Sequence, residues 1–184
     1  MTKSLTGNFL IAVPALADPN FFRTAVLLFQ HSESGAAGVV INRRTNVKIC
    51  DLGDEFASVA DNEDRFVYAG GPVEGPVLAV HTSLVLAEMP IVTGLYLSSD
   101  KNNLVKLAAQ RQHPCRFFAN YSGWGDGQLE SEIEAGGWLT TPASIDDVFQ
   151  ADEDVLWHSL CDQVGRSIML TPHAAQINQD PRNN

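Results

Sequence analysis

Cys115-Arg116-Phe117-Phe118-Ala119-Asn120-Tyr121-Ser122-Gly123-Trp124-Gly125-Asp126-Gly127-Gln128-Leu129-Glu130 is the stretch on which the fold turns. The apolar, aromatic-rich run from Cys115 to Tyr121 reads as a buried strand. Ser122 to Gly127 carries three alternating glycines and reads as a sharp turn, and Gln128 to Ala135 as a short acidic helix. Strand, glycine loop and helix in that order point to an α/β domain.

Working outward, Phe9 to Val13, Thr24 to Gln30, Gly38 to Ile41, Phe66 to Tyr68 and Val77 to Val80 are short, mostly buried strands between turn residues. Ile49, Leu52, Phe56 and Val59 recur at helical spacing with Asp51, Asp54 and Glu55 on other faces, which predicts an amphipathic helix over the sheet. Ile91 to Leu97 predicts a further strand. Ser98, Ser99 and Asp100 then cap a helix carrying Leu104, Leu107 and Ala108, which His113 and Pro114 end. Trp138 to Thr141 reads as a strand, Ser144 to Asp147 as a capping box, and Asp152 to Leu160 as a last helix. The expected architecture is α/β, with α+β as the alternative: a mixed sheet flanked by helices in one layered domain over residues 1–175, then a disordered polar tail over 176–184.

Bulk composition narrows the function. A chain of 184 residues buries roughly 70% of its unfolded surface, so it needs neither a metal nor disulfides to fold. Twelve Lys and Arg against 22 Asp and Glu give a net charge of −10, a field that repels nucleic-acid phosphates, so no direct nucleic-acid binding is expected. Cys50, Cys115 and Cys161 are odd in number and widely spaced, which fits a reducing cytoplasm rather than a disulfide framework or a zinc knuckle. The apolar run from Phe9 ends at Pro14, too short for a signal segment, and no stretch reaches the about 18 to 20 apolar residues of a membrane span. Neither export nor a membrane is expected, and no cofactor.

The glycine loop has two readings. Glycines let a backbone expose helix N-terminal N–H groups to an anion, so Gly123, Trp124, Gly125, Gly127 and Gln128 are candidates for a phosphate or carboxylate site. The plainer reading is a tight turn with Trp124 packed on the sheet edge. Gln128 stands where a dinucleotide fingerprint needs a third glycine, no Walker Lys-Ser/Thr pair follows, and Asp126 would repel an anion. Ser122 resembles a nucleophile elbow only loosely, since Asn120 and Trp124 occupy both glycine positions.

Other candidates lie at predicted strand ends. His31 and His81 each close a strand, and with Glu33 or Glu74 would make a metal site if they met; backbone-bonded histidines are the plainer alternative. Gly70 and Gly71, before Pro72, form either an N–H nest or a simple turn. Asn42 and Arg43 precede Arg44 in the sole adjacent pair of cations, the natural contact for an anion in so acidic a chain. Asp18 to Phe22 reads as a capped turn with a phenylalanine packed beneath and Arg23 paired to Asp18. Glu130, Glu132 and Glu134, like Asp152, Glu153 and Asp154, read as solvated helix faces.

These segments together resemble the AlgH/YqgE family of bacterial proteins. The resemblance runs in order through Phe9 to Pro14, Asp18 to Phe21, Arg23-Thr24, His31, Gly35-Ala36, Gly38, Asn42-Arg43, Gly70 to Val73, His81, Tyr121 to Glu130, Glu132, Trp138-Leu139 and Pro142. It implies a compact α/β domain in a bacterial cytoplasm with no established activity, in a family where one member is labelled a transcriptional regulator of alginate synthesis. Two positions depart from the family pattern, Arg44 standing where proline is usual and Ser122 where alanine is usual.

The functional expectation is a non-enzymatic binding or regulatory module that takes a protein partner or a small anionic ligand. Its site is expected where the glycine loop, Gly70-Gly71, Asn42-Arg43, His31 and His81 converge at strand ends. The alternative is a hydrolase or transferase for a phosphorylated or acyl metabolite, with the two imidazoles carrying protons.

Overall fold

The computed structural model describes residues 4–60, 65–150 and 152–170, the last three by backbone alone; the expected polar tail lies outside them. Its first strands carry unbroken apolar runs, Phe9 to Ala12 and Ala25 to Phe29. In β1 (Asn8–Ala12), Phe9 and Ile11 face one way and Leu10 and Ala12 the other, and all four are fully buried. The next strand, β2 (Ala25–Ser32), repeats this, with Ala25, Leu27 and Phe29 on one face and Val26 and Leu28 on the opposite one. A strand without alternation must be covered on both sides, because period 2 sends successive side chains to opposite faces.

What covers the two faces differs. With β3 (Gly35–Val40), β1 and β2 belong to a five-stranded antiparallel sheet that ends in β10 (Ser122–Trp124) at one edge and β11 (Trp138–Pro142) at the other. A second, six-stranded sheet holds β4 (Arg44–Lys48), β5 (Phe66–Ala69), β6 (Leu78–His81), β7 (Met89–Val92), β8 (Leu95–Ser98) and β9 (Cys115–Ala119), in the order β4-β5-β9-β6-β8-β7. Only β5 and β9 run parallel in it.

The inner faces of both sheets share one apolar cluster, in which Phe9, Leu27 and Val39 meet Tyr68, Val80 and Phe118. Its side is closed by α4 (Ile145–Phe149) and α5 (Glu153–Leu170) through Val148, Leu156, Trp157 and Leu160. Outside the first sheet lies α3 (Gln128–Glu134), and outside the second lie α1 (Asp54–Ala57) and α2 (Lys101–Ala109). The α/β class therefore stands, with the strands divided between two stacked sheets rather than gathered in one.

Several elements differ from their sequence reading. The helix expected from Ile49 to Val59 is a 3-10 turn, Ile49–Leu52, and the single turn of α1, broken at Gly53 with φ +143°. Ile91 to Leu97 is not one strand but the β7–β8 hairpin, and Pro90 is tolerated because β7 is an edge strand. The run Cys115 to Tyr121 leaves the second sheet at Asn120, whose φ of +63° swings the chain across, so the glycine stretch begins as β10 of the first sheet instead of a turn. Asn42 and Arg43 lead directly into β4, a strand the sequence did not announce.

Candidate functional site

The crossing between sheets is built on Gly70 and Gly71. Gly70 N–H donates to the Ala119 carbonyl, while its own carbonyl accepts from Val40 N–H at 2.9 Å and from Ser122 Oγ at 3.0 Å. The Ser122 hydroxyl is fully buried and bound to that carbonyl, so it pins the seam and is not presented as a nucleophile. Beyond the seam, Pro72 and Gly123 reach the wall of an open cavity of about 590 Å³.

One wall of this cavity is the turn after Asp18. Asp18 Oδ1 accepts Asn20 N–H at 2.7 Å, and its carbonyl accepts from Phe21 and Phe22 N–H. Arg43 grips the turn from behind, donating Nη1 to the Asn20 carbonyl and Nη2 to those of Pro19 and Phe22. Burial lowers the Arg43 pKa from its ordinary value and the Asp18 charge opposes that. Asn42 completes the staple, accepting Ala25 N–H at Oδ1 and donating Nδ2 to the Arg23 carbonyl. Arg23 does not pair with Asp18; its guanidinium lies over the rings of Phe22 and Trp157.

The other wall is α3 and the aromatic pair that it orders. A single oxygen of Glu132, Oε2, accepts the indole N–H of Trp124 at 3.0 Å and of Trp138 at 2.9 Å, while Oε1 accepts Gln128 Nε2 at 2.9 Å. Phe21 packs against both indoles, its ring 5.8 Å from that of Trp124 and 5.3 Å from that of Trp138, and the indoles meet edge to face at 5.9 Å. Glu132 is thus no solvated face. Its carboxylate fixes both tryptophans, as buried or half-buried indole N–H groups require an acceptor.

His31 works one step behind. Its Nδ1 accepts Leu5 N–H at 2.9 Å, which makes Nε2 the donor to Glu130 Oε1 at 2.8 Å and ties β2 to α3. Glu130 is held below the usual carboxylate range by a backbone N–H at its own position and then by His31. His81 lies elsewhere. It shares the outer face of the second sheet with Ala79, donates Nε2–H to Ser98 Oγ at 2.9 Å and accepts Ser83 N–H at Nδ1. His31 points to the α3 side of the first sheet, so two sheets separate the histidines. Among the described residues no three His, Cys, Asp or Glu side chains gather as metal ligands.

Of the sequence candidates, Gly123, Trp124 and Gln128 line the cavity, Gly70-Gly71 form the seam beside it, Asn42, Arg43 and His31 brace its walls, and His81 is outside it. Gly125 gives its N–H to Gln128 Oε1 at 3.0 Å, and Gly127 caps a helix of only seven residues. The charged groups on the cavity are Asp18 and Glu132, with no Lys or Arg on its lining. An oxyanion would meet two carboxylates there. Asp18, Phe21, Glu132 and Trp138 are among the lining residues that the sequence reading did not place in the site; the signal for Glu132 was its i, i+4 spacing from Gln128, which brings the two side chains onto one helix face.

Comparison with known proteins places the chain among relatives. A profile of the AlgH-like family matches residues 9–169. A UPF0301 protein of Myxococcus xanthus is 40% identical over 160 residues, covering 84% of this chain and 88% of that protein. A UPF0301 protein of Streptomyces avermitilis is 37% identical over 171 residues, covering 86% of each. The solution structure of AlgH from Pseudomonas aeruginosa superposes with a TM-score of 0.73 at 28% identity, covering 96% of this chain and 98% of that one. A Corynebacterium diphtheriae protein of 23% identity shares the fold with the same TM-score, covering 88% of each chain.

Proposed function

We propose a binding role without catalysis for this chain, which belongs to the AlgH-like family: the 590 Å³ cavity between α3 and the Asp18 turn takes a basic side chain presented by a protein partner. One observation carries this reading. Asp18 and Glu132 face a cavity floored by Trp124, Trp138 and Phe21 whose lining holds no cation. Aromatic faces and carboxylates both attract an ammonium or guanidinium group, and the apolar floor accepts its alkyl stem. A regulatory effect then passes through the partner, in the reducing cytoplasm that three free thiols suit, while a chain of net charge −10 approaches duplex DNA poorly.

The hydrolase or transferase reading draws on His31 and His81 as proton carriers. Both rings use both nitrogens on internal partners, and neither lines the cavity, so no observation favours it.

Calorimetric titration of the full chain with a short lysine- and arginine-containing peptide tests the proposal. Asp18→Asn keeps the oxygen that accepts Asn20 N–H and removes only the charge, so affinity should fall roughly threefold to tenfold. An acidic peptide of equal length that binds as well as the basic one would overturn it.

A further inference from the structure

A second cavity, of about 310 Å³, opens where β4 and β5 meet the start of β9 and the end of α4. Three of the chain's twelve basic residues line it, Arg44, Arg65 and Arg116, together with the rings of Phe66, Tyr68 and Phe149. No carboxylate is among its lining residues. In a molecule of net charge −10 such a gathering of guanidinium groups costs mutual repulsion, which a bound anion would relieve.

Each arginine is held in place by a group that leaves donors over. Arg116 Nη1 donates to the Ile41 carbonyl at 2.9 Å, with the guanidinium 4.8 Å from the centre of the Tyr68 ring. Arg65 Nη1 donates to the Ala108 carbonyl at 2.7 Å. Arg44 lies 4.9 Å from the centre of the Phe66 ring and 3.7 Å from Glu153, a residue of the adjoining cleft. A guanidinium carries five N–H donors in one plane, so a single backbone bond orients it without exhausting it. Tyr68 donates its hydroxyl to the same Glu153, and with its phenol pushed up to about 12, chiefly by burial, it stays uncharged beside the anion.

We propose that this groove binds an oxyanion borne on a flat apolar body, the anion held by Arg44, Arg65 and Arg116 and the body by Phe66 and Phe149. Bidentate arginine contacts suit phosphate and carboxylate alike, and aromatic walls suit a planar ring. The site is separate from the acidic cavity between α3 and the Asp18 turn, with which it shares no lining residue. It stands or falls independently of that assignment. The anion chemistry expected at the glycine loop is thus met on the second sheet, by Arg44, Arg65 and Arg116.

Chemical-shift titration of the full chain with phenyl phosphate, benzoate, inorganic phosphate and benzylamine tests the proposal. Phenyl phosphate or benzoate should shift the guanidinium signals of Arg44, Arg65 and Arg116 and the Phe66 ring, and the tighter of the two identifies the anion. Inorganic phosphate should bind at least about tenfold more weakly than phenyl phosphate, and benzylamine should leave the groove unmoved. Arg44→Gln, on the exposed rim, should weaken phenyl phosphate by about tenfold, and Arg65→Gln, if it folds, should do the same. Benzylamine shifting the groove, phenyl phosphate and benzoate leaving it unmoved, or unchanged affinity in Arg44→Gln would overturn the site. Inorganic phosphate binding as tightly as phenyl phosphate would overturn the role of the rings.

Discussion

At Gly71 the backbone adopts φ +154°, and an added Cβ would lie 2.3 Å from Ser122 Oγ and 2.4 Å from the carbonyl carbon and oxygen of Tyr121. At Gly127 φ is +66° and an added Cβ would meet nothing within 4 Å. The two glycines carry different constraints: close approach of two backbone segments at the seam between the sheets, and local handedness alone at the start of α3. Gly127→Ala should cost about 1 to 2 kcal/mol, the left-handed penalty for an L residue. Gly71→Ala adds overpacking against backbone that has little room to move, and should cost roughly 3 kcal/mol or more. Denaturant midpoints of the two variants check the order. Equal losses would mean that the seam yields easily and does not position Pro72 and Gly123 on the cavity.

Elements are joined by buried polar side chains whose protonation the fold controls. His81, at the end of β6, links that strand to β8 and to the loop after β6, donating to Ser98 Oγ, whose hydroxyl in turn donates to the Leu86 carbonyl at 2.5 Å. Burial lowers the His81 pKa from its ordinary 6.5, against the opposing charge of Glu88. The unfolded chain therefore binds a proton at His81 that the folded chain does not, and this group's stabilisation is complete above pH 6.5 and is lost as pH falls through the folded value. Thermal unfolding of the wild type should weaken between pH 7.5 and 5 more steeply than that of His81→Gln, whose amide still offers an acceptor and a donor. Parallel pH profiles would contradict this account of His81.

The same scale shows what could be read from the sequence. β1, β2 and the cap of α2 by Asp100, which accepts N–H from Asn102 and Asn103, follow from apolar runs and local side-chain chemistry. The β7–β8 hairpin was hidden because Met89 to Leu97 is apolar on both sides of the turn at Thr93-Gly94. The division into two sheets was hidden for a related reason: a strand buried on both faces reads alike whether its cover is a helix or another sheet. The glycine stretch and its neighbours in the site were legible as residues, since Gly123, Trp124 and Gln128 do line a cavity. Its charge was not, because Asp18 and Glu132 stand 114 positions apart in the sequence, and only the fold brings them to one cavity.

Across the whole molecule, two separate recesses carry opposite chemistries. Glu132 and Asp18 mark the cavity under α3, while three guanidinium groups mark the groove at the edge of the second sheet. The central claim is that the acidic, aromatic cavity is a binding site for a basic group, and the tryptophans report on it directly. Trp124 and Trp138 give their indole N–H to Glu132, whereas Trp157 gives its own to the Ala12 carbonyl in the inter-sheet core at 2.7 Å. A cation that docks beside Glu132 withdraws charge from the acceptor of two indoles and leaves the third alone. The most direct measurement is a proton–nitrogen correlation spectrum of the three indole N–H groups during titration with the basic peptide. The account predicts that the Trp124 and Trp138 signals move together while that of Trp157 stays fixed; a saturable titration in which Trp124 and Trp138 do not move, or in which all three move alike, would contradict it.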